Sequence, residues 1–153
     1  MACATNNRRD DEAQSLNALT QRIIGASIEV HRHLGPGLLE LAWEECVCYE
    51  LAQAGIRFER QKPLPVRYKT VNLDCGYRLD LLVESMGVVE LKTIEQLLPV
   101  REAQLLTDLR LADLRLGLLI NFRVPVVKDG IRRIVNRFPS ASASPRPCGE
   151  LRL

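Results

Sequence analysis

The stretch from Tyr77 to Lys92 reads Tyr-Arg-Leu-Asp-Leu-Leu-Val-Glu-Ser-Met-Gly-Val-Val-Glu-Leu-Lys, and it constrains the fold more than any other part of the chain. Two runs rich in β-branched and aliphatic residues flank Ser85, Met86 and Gly87, the pattern of a β-hairpin closed by a short glycine-containing turn. Alternation along a strand places Leu79, Leu81 and Val83 on one face and Arg78, Asp80 and Leu82 on the other. In the second strand Val89 and Leu91 share one face, and Val88, Glu90 and Lys92 the other. A hairpin centred on Ser85 sets Asp80 directly opposite Glu90. Like charges facing each other across a ladder destabilise it, so the pattern calls for a cation between them.

The rest of the chain supplies helices and further strands around this hairpin. Leu16, Leu19, Ile23, Ile24, Ser27, Val30 and Leu34 recur at three- and four-residue steps, which predicts a helix with Ser15 as its N-cap. Gly35-Pro36-Gly37 ends it. A second helix is expected from about Leu38 to Ala54, with Leu39, Trp43, Val47 and Leu51 as its apolar stripe and Gly55 as its stop. Ile56 to Glu59 reads as a first strand, and Val66 to Tyr68 extends again after Pro63 and Pro65. After the hairpin, Pro99 leads into a helix over about Val100 to Ala112, where Ala103, Leu105, Leu106, Leu109 and Ala112 point inward and Gln104 and Asp108 share a face. Leu114 to Phe122 is nearly continuous apolar sequence, as in a strand covered on both sides. Ile131 to Asn136 is a last short strand. The expected fold class is α/β, a mixed sheet with a central hairpin flanked by helices. Residues 1–14 read as a flexible leader, 15–137 as one domain and 138–153 as a disordered tail.

With 153 residues the chain is long enough for one core without disulfides. Its five cysteines form no CxxC pair, which argues against structural zinc. Met1 to Glu12 is polar and resembles no secretory signal, and no apolar run is long enough to span a bilayer, so a cytoplasmic protein without a membrane partner is expected. The net charge of +2 hides an asymmetry. From Asn121 onward seven basic residues stand against two acidic ones, while residues 1–120 hold 14 basic against 17 acidic. A basic C-terminal third beside a carboxylate-bearing hairpin suits a polyanion, although charge runs also form solvated faces.

Asp80, Glu90 and Lys92 form a D…ExK constellation. Hard divalent cations such as Mg²⁺ prefer carboxylate oxygens, and the backbone carbonyl of Leu91 offers one more. A bound cation lowers the pKa of a water and neutralises charge developing on a phosphate, the two requirements of phosphodiester hydrolysis. Lys92, on the same face as Glu90, is placed to orient the water or steady that charge. The bland reading is a cross-strand ion network, because Arg78, Asp80, Glu90 and Lys92 sum to zero charge. Glu40 has a bland reading too: a carboxylate in the first turn of the second helix complements the helix dipole.

The segment from Ile23 to Asn136 resembles the small bacterial GxxExxY protein family, a branch of the PD-(D/E)XK nuclease superfamily. The resemblance is carried by Gly35-Pro36-Gly37-Leu38-Leu39-Glu40, Glu59-Arg60-Gln61-Lys62-Pro63-Leu64-Pro65-Val66 and Tyr77 to Val83. Glu90-Leu91-Lys92, Glu102 to Thr107 and Gly117 to Phe122 complete it. It implies a restriction-endonuclease-like core and a Mg²⁺ or Mn²⁺ cofactor. It further implies Glu40, Asp80 and Glu90 as ligands, Lys92 as the catalytic lysine, and Gln104 beside the scissile phosphate. The substrate it implies is nucleic acid, DNA foremost, and the alternative is a catalytically inactive module of the same fold that binds nucleic acid or a protein. Two positions depart from the family pattern. Trp43 stands in place of the family's tyrosine, and Asp108 stands where a tyrosine usually follows the glutamine. The apolar first helix also leaves a homodimer open.

Overall fold

The computed structural model describes residues 4–137, and the expected tail over 138–153 lies outside the described residues. Helix α1 (Ala4–Leu34) and helix α2 (Glu40–Gln53) precede strands β1 (Phe58–Pro63), β2 (Val66–Tyr68), β3 (Val71–Leu73), β4 (Arg78–Val83) and β5 (Gly87–Lys92). Helix α3 (Pro99–Ala112) then crosses to β6 (Leu116–Asn121), and a short 3-10 turn leads to β7 (Ile131–Val135). The main sheet has the order β1-β4-β5-β6-β7, and β2 and β3 form a separate two-stranded ribbon. Only β5 and β6 are parallel, because α3 spans the crossover between them. The expected mixed sheet, with its hairpin at the centre and helices on its faces, is the architecture observed.

Two apolar layers sandwich the sheet. On one side Leu16, Leu19, Ile23 and Val30 of α1 and Trp43, Val47 and Leu51 of α2 pack on Leu81, Val83, Val89 and Leu91. On the other, Leu105 and Leu109 of α3 cover Leu79, Leu82, Val88 and Leu119. Gly117 makes that second contact close: a Cβ there would stand 3.0 Å from both Leu105 and Leu109. All six residues of β6 are buried, as a strand covered on both faces requires. The apolar stripe of α1 that suggested a dimer is thus spent on the chain's own core. Among the described residues no helix is long and apolar enough to cross a membrane.

Several expectations are corrected. Helix α1 starts at Ala4, not near Ser15, and Ser15 is no cap: its hydroxyl donates back to the Asp11 carbonyl inside the helix. Leu39 is 80% exposed as the residue preceding α2, outside the stripe that Trp43, Val47 and Leu51 form. The hairpin turn does not use its glycine. Glu84 and Ser85 take the positive φ values (52° and 54°), Met86 N–H closes on the Val83 carbonyl, and Gly87 already pairs with Val83 in the ladder. Gly87 serves packing instead, since a Cβ there would press on Leu116 at 3.2 Å. Simple alternation also fails in β4. Leu79 lies on the α3 side with Leu82, whereas Leu81 and Val83 lie on the other side, so the strand turns over at Asp80.

Candidate active site

Strand β5 is straight and fully paired, with every residue from Gly87↔Leu116 to Lys92↔Asn121 matched to β6. Its alternation puts Glu90 and Lys92 on the α3 side beside Val88, and Lys92 Nζ stands 3.4 Å from Glu90 Oε2. The β4–β5 pairs Leu81↔Val89, Leu82↔Val88 and Val83↔Gly87 are centred on Ser85, the register that opposes Asp80 to Glu90. Backbone pairing stops at Leu81↔Val89, and beyond it the strands part. The Asp80 side chain enters the gap: Oδ2 accepts the Leu91 N–H at 3.0 Å. In an extended strand the N–H and C=O of one residue face the same neighbour, so the Leu91 carbonyl is directed to the same gap.

Strand β1 accommodates the turning-over of β4. Arg60↔Leu81 and Lys62↔Leu79 pair, but Gln61 between them leaves the ladder with φ of +48°. It is held out by α2. The Gln61 amide donates to Glu44 Oε2 at 2.8 Å, Arg60 Nε donates to Glu44 Oε1 at 2.8 Å, and Arg60 Nη2 donates to Glu45 at 2.7 Å. Glu44 is buried, so the charge-assisted bonds from Arg60 and Gln61 are what make its burial tolerable.

The electrostatics follow from the crowding of acids. Burial first, and then Asp80, push the Glu90 carboxyl up to about 8 from its ordinary 4.5, against the opposing pull of Lys92. A hydrogen bond between the Glu90 and Asp80 side chains belongs to that protonated state. Glu40, the first residue of α2, turns its carboxylate to the Thr93 N–H just past β5. Its pKa is raised by loss of water and by Asp80, with Lys92 acting the other way. Asp108 of α3 is half-buried, and its pKa too is raised by burial and then by Asp80, opposed by Lys92.

A groove of about 400 Å³ opens between the sheet and α3, with Glu90 and Lys92 on one wall and Arg101, Gln104 and Asp108 on the other. Asp80, Glu90 and Lys92 are therefore brought together, and Glu40 reaches them electrostatically from α2. Gln104 faces the same groove from across it, accepting a bond from Arg101 at 3.3 Å. Among the described residues, no three His, Cys, Asp or Glu side chains already stand as a ready metal cage. Trp43 is wholly buried, stacked on Phe122 at 4.1 Å and on His31 at 5.8 Å, and its indole N–H has no partner among the described residues. This aromatic position serves the core.

Three supporting residues escaped the sequence reading. Glu44 is one of several acids in α2 that nothing local distinguishes, and Gln61 carries no sign of a left-handed backbone. Asn121, 2% exposed, takes the Ile94 N–H at 3.1 Å and donates to the Ile94 carbonyl at 2.8 Å, pinning the chain that follows Lys92. A buried asparagine ending an otherwise apolar strand was the available signal, since such a group needs partners.

The family model of the PD-(D/E)XK nuclease superfamily matches residues 17–134, which takes in every element that builds this site. No match was found among curated proteins or among solved structures. A mixed sheet whose central hairpin presents Asp80 opposite a Glu90-Leu91-Lys92 triplet is the arrangement that a restriction-endonuclease-like core requires, and the chain belongs to the PD-(D/E)XK nuclease superfamily.

Proposed function

We propose that this protein, a member of the GxxExxY branch of the superfamily, is a Mg²⁺- or Mn²⁺-dependent hydrolase of phosphodiester bonds in DNA. One observation carries the reading: Asp80 and Glu90 meet in a gap in the sheet, and Lys92 lies 3.4 Å from Glu90. Burial, and then the neighbouring Asp80, favour the protonated Glu90 carboxyl, and a cation bound between the two acids would offset both effects. Their oxygens are hard donors of the kind Mg²⁺ and Mn²⁺ select. Asp80, Glu90 and the Leu91 carbonyl would hold the ion, with Glu40 added from α2. When bound, the ion supplies charge neutralisation at the phosphate and a lowered pKa for water.

The chain's own groups do the rest. Lys92 is held by Glu90 on the groove face, where its ammonium can orient a water and stabilise charge on the phosphate. Gln104 faces it across the groove as a neutral donor and acceptor for a phosphate oxygen. Asp80→Ala removes the side chain in the gap but leaves the core of β4 in place. Cleavage of DNA in Mn²⁺ or Mg²⁺ should disappear while the circular dichroism spectrum remains that of the folded protein, with a melting temperature lowered only by the loss of the partner of the Leu91 N–H. Retained cleavage by a folded Asp80→Ala protein would sink the assignment.

A second reading is favoured by Asp108, which adds a carboxylate to the groove beside Asp80 and Lys92. In that reading the fold binds nucleic acid without turnover. Binding then persists in a chelator and falls steeply with salt, and no metal yields product.

A further inference from the structure

We propose that the β2–β3 ribbon is a docking arm for single-stranded nucleic acid, with unpaired bases stacking on Tyr68 and Tyr77 beside the groove. This inference rests on the nuclease reading and adds to it the strandedness of the substrate.

The arm grows out of the site itself. The β1–β4 ladder ends at Pro63↔Arg78, the Leu64 N–H donates to the Tyr77 carbonyl at 2.8 Å, and the chain then pairs as Val66↔Leu73, Arg67↔Asn72 and Tyr68↔Val71. Buried Leu64 anchors its root in the α3-side core, and nothing of that core extends into the ribbon. Val71, where β3 leaves the turn, is nine steps along the chain from Asp80, so it lies at most about 30 Å from the acids.

Alternation divides the ribbon into two unlike faces. Residues directly opposite share a face, so Val66, Tyr68, Val71 and Leu73 fall together and Arg67 and Asn72 fall on the other side. The apolar face is left in solvent: Tyr68 is 60% exposed, Val71 52% and Leu73 38%. Tyr77, 49% exposed, stands at the root and lines the groove with Arg78. This face has no core beneath it, and the charge of the arm as a whole favours a polyanion as its occupant. From Val66 to Arg78 the chain carries Arg67, Lys69 and Arg78 against Asp74 alone. Lys69 Nζ sits 5.3 Å from the centre of the Tyr68 ring, which places a cation and a π-surface at one point. Aromatic platforms flanked by cations and continuous with a groove bind unpaired strands, because every base has a stackable face and every linkage an anion. Paired bases do not offer that face.

The test is fluorescence anisotropy of a labelled 20-nucleotide single strand and its duplex in EDTA, which holds the probe uncut. Wild type should bind the single strand more tightly than the duplex. Tyr68→Ala and Tyr77→Ala should each weaken single-strand binding about tenfold. Tyr68→Phe and Tyr77→Phe, which keep the ring, should bind like wild type, and Arg67→Gln should lower the slope of log K against log salt by about 0.7. Single-strand affinity unchanged by both alanine variants overturns the proposal, as does a duplex bound equally well by wild type. A dimer that Tyr68→Ala dissociates would also overturn it, by giving the face a second copy of the chain. Cleavage of the same probes in Mn²⁺ is scored separately. Tyrosine-dependent binding without cleavage by wild type keeps the arm and removes the nuclease reading; cleavage with tyrosine-independent binding does the reverse.

Discussion

Glu90→Gln should stabilise the metal-free protein, and the gain should depend on pH in a stated direction. In the unfolded chain Glu90 gives up its proton near 4.5, and in the folded chain near 8. Between those values folding takes up a proton, so the wild type loses stability as pH rises through the window and levels off above it. Carried in full, the shift is worth about 5 kcal/mol at ~1.36 kcal/mol per pH unit. Relaxation of the site and entry of water lower that figure, and ~2–3 kcal/mol is the expected cost at pH 9. Glutamine has the same shape, carries no charge, and can donate an amide N–H to Asp80 as the protonated carboxyl does. Urea denaturation in EDTA should therefore find the two proteins within about 1 kcal/mol at pH 5, with the variant ahead by about 2–3 kcal/mol at pH 9. Titrating groups away from the site are common to both proteins and cancel in the comparison. Equal stabilities at pH 9, or a wild type more stable than the variant there, would show that Lys92 alone satisfies an ionised pair and that no cation is called for.

Further expectations concern the same site and its supports. Mn²⁺ titrated at pH 7 in buffers of different ionisation enthalpy should release close to one proton per ion, from Glu90; binding without proton release would contradict a protonated pair. Asn121→Ala strips partners from both the N–H and C=O of Ile94 and should cost about 2–4 kcal/mol in urea denaturation. A cost under about 0.5 kcal/mol would mean that water replaces the amide there. Gly117→Val drives two methyls into Leu105 and Leu109 and should lower stability by about 1–3 kcal/mol or more, read as a drop in melting temperature.

The parts of the fold that the sequence made legible are those specified by local pattern. The apolar runs around Ser85 set the hairpin and its register, and the unbroken apolar run into Phe122 set a strand buried on both faces. Gly35 and Gly55, both at φ of 70°, follow the ends of α1 and α2 as their positions suggested. The misses have two causes, local helix propensity without an apolar period in one case and tertiary partners that overrode local chemistry in the others. Residues 4–14 show no apolar period, yet Ala, Arg, Glu and Gln are good helix formers and extend α1 from a stripe that starts at Leu16. Val71-Asn72-Leu73 is too short to announce a strand and exists only through its pairing with β2. Gln61 adopts a left-handed backbone for a partner seventeen residues earlier, Glu44, that no window of sequence reveals. Of the candidate site residues, the acids and the lysine of the hairpin stand out by spacing alone, whereas Glu40 and Gln104 are suggested only by resemblance because they sit on other elements.

That division also explains how the sheet makes a site out of an unfavourable pair. An undisturbed antiparallel ladder would have set the two carboxylates face to face with their backbones fully bonded, and repulsion would have been the only result. Here the two acids are supported unequally. Glu90 and Lys92 ride on β5, whose pairing with β6 is unbroken to Lys92↔Asn121 and is tied down beyond that by Asn121 and Ile94. Asp80 rides on a strand that turns over at that residue, opposite a Gln61 that α2 holds out of the ladder. The bond from Leu91 N–H to Asp80 replaces the backbone pairing lost at the gap, so the main chain of β5 is satisfied while the space between the strands stays open. Glu90 thus stands on a fully paired strand and Asp80 beside an interruption of the ladder, and the cost of bringing the two acids together in a buried place falls on the proton at Glu90.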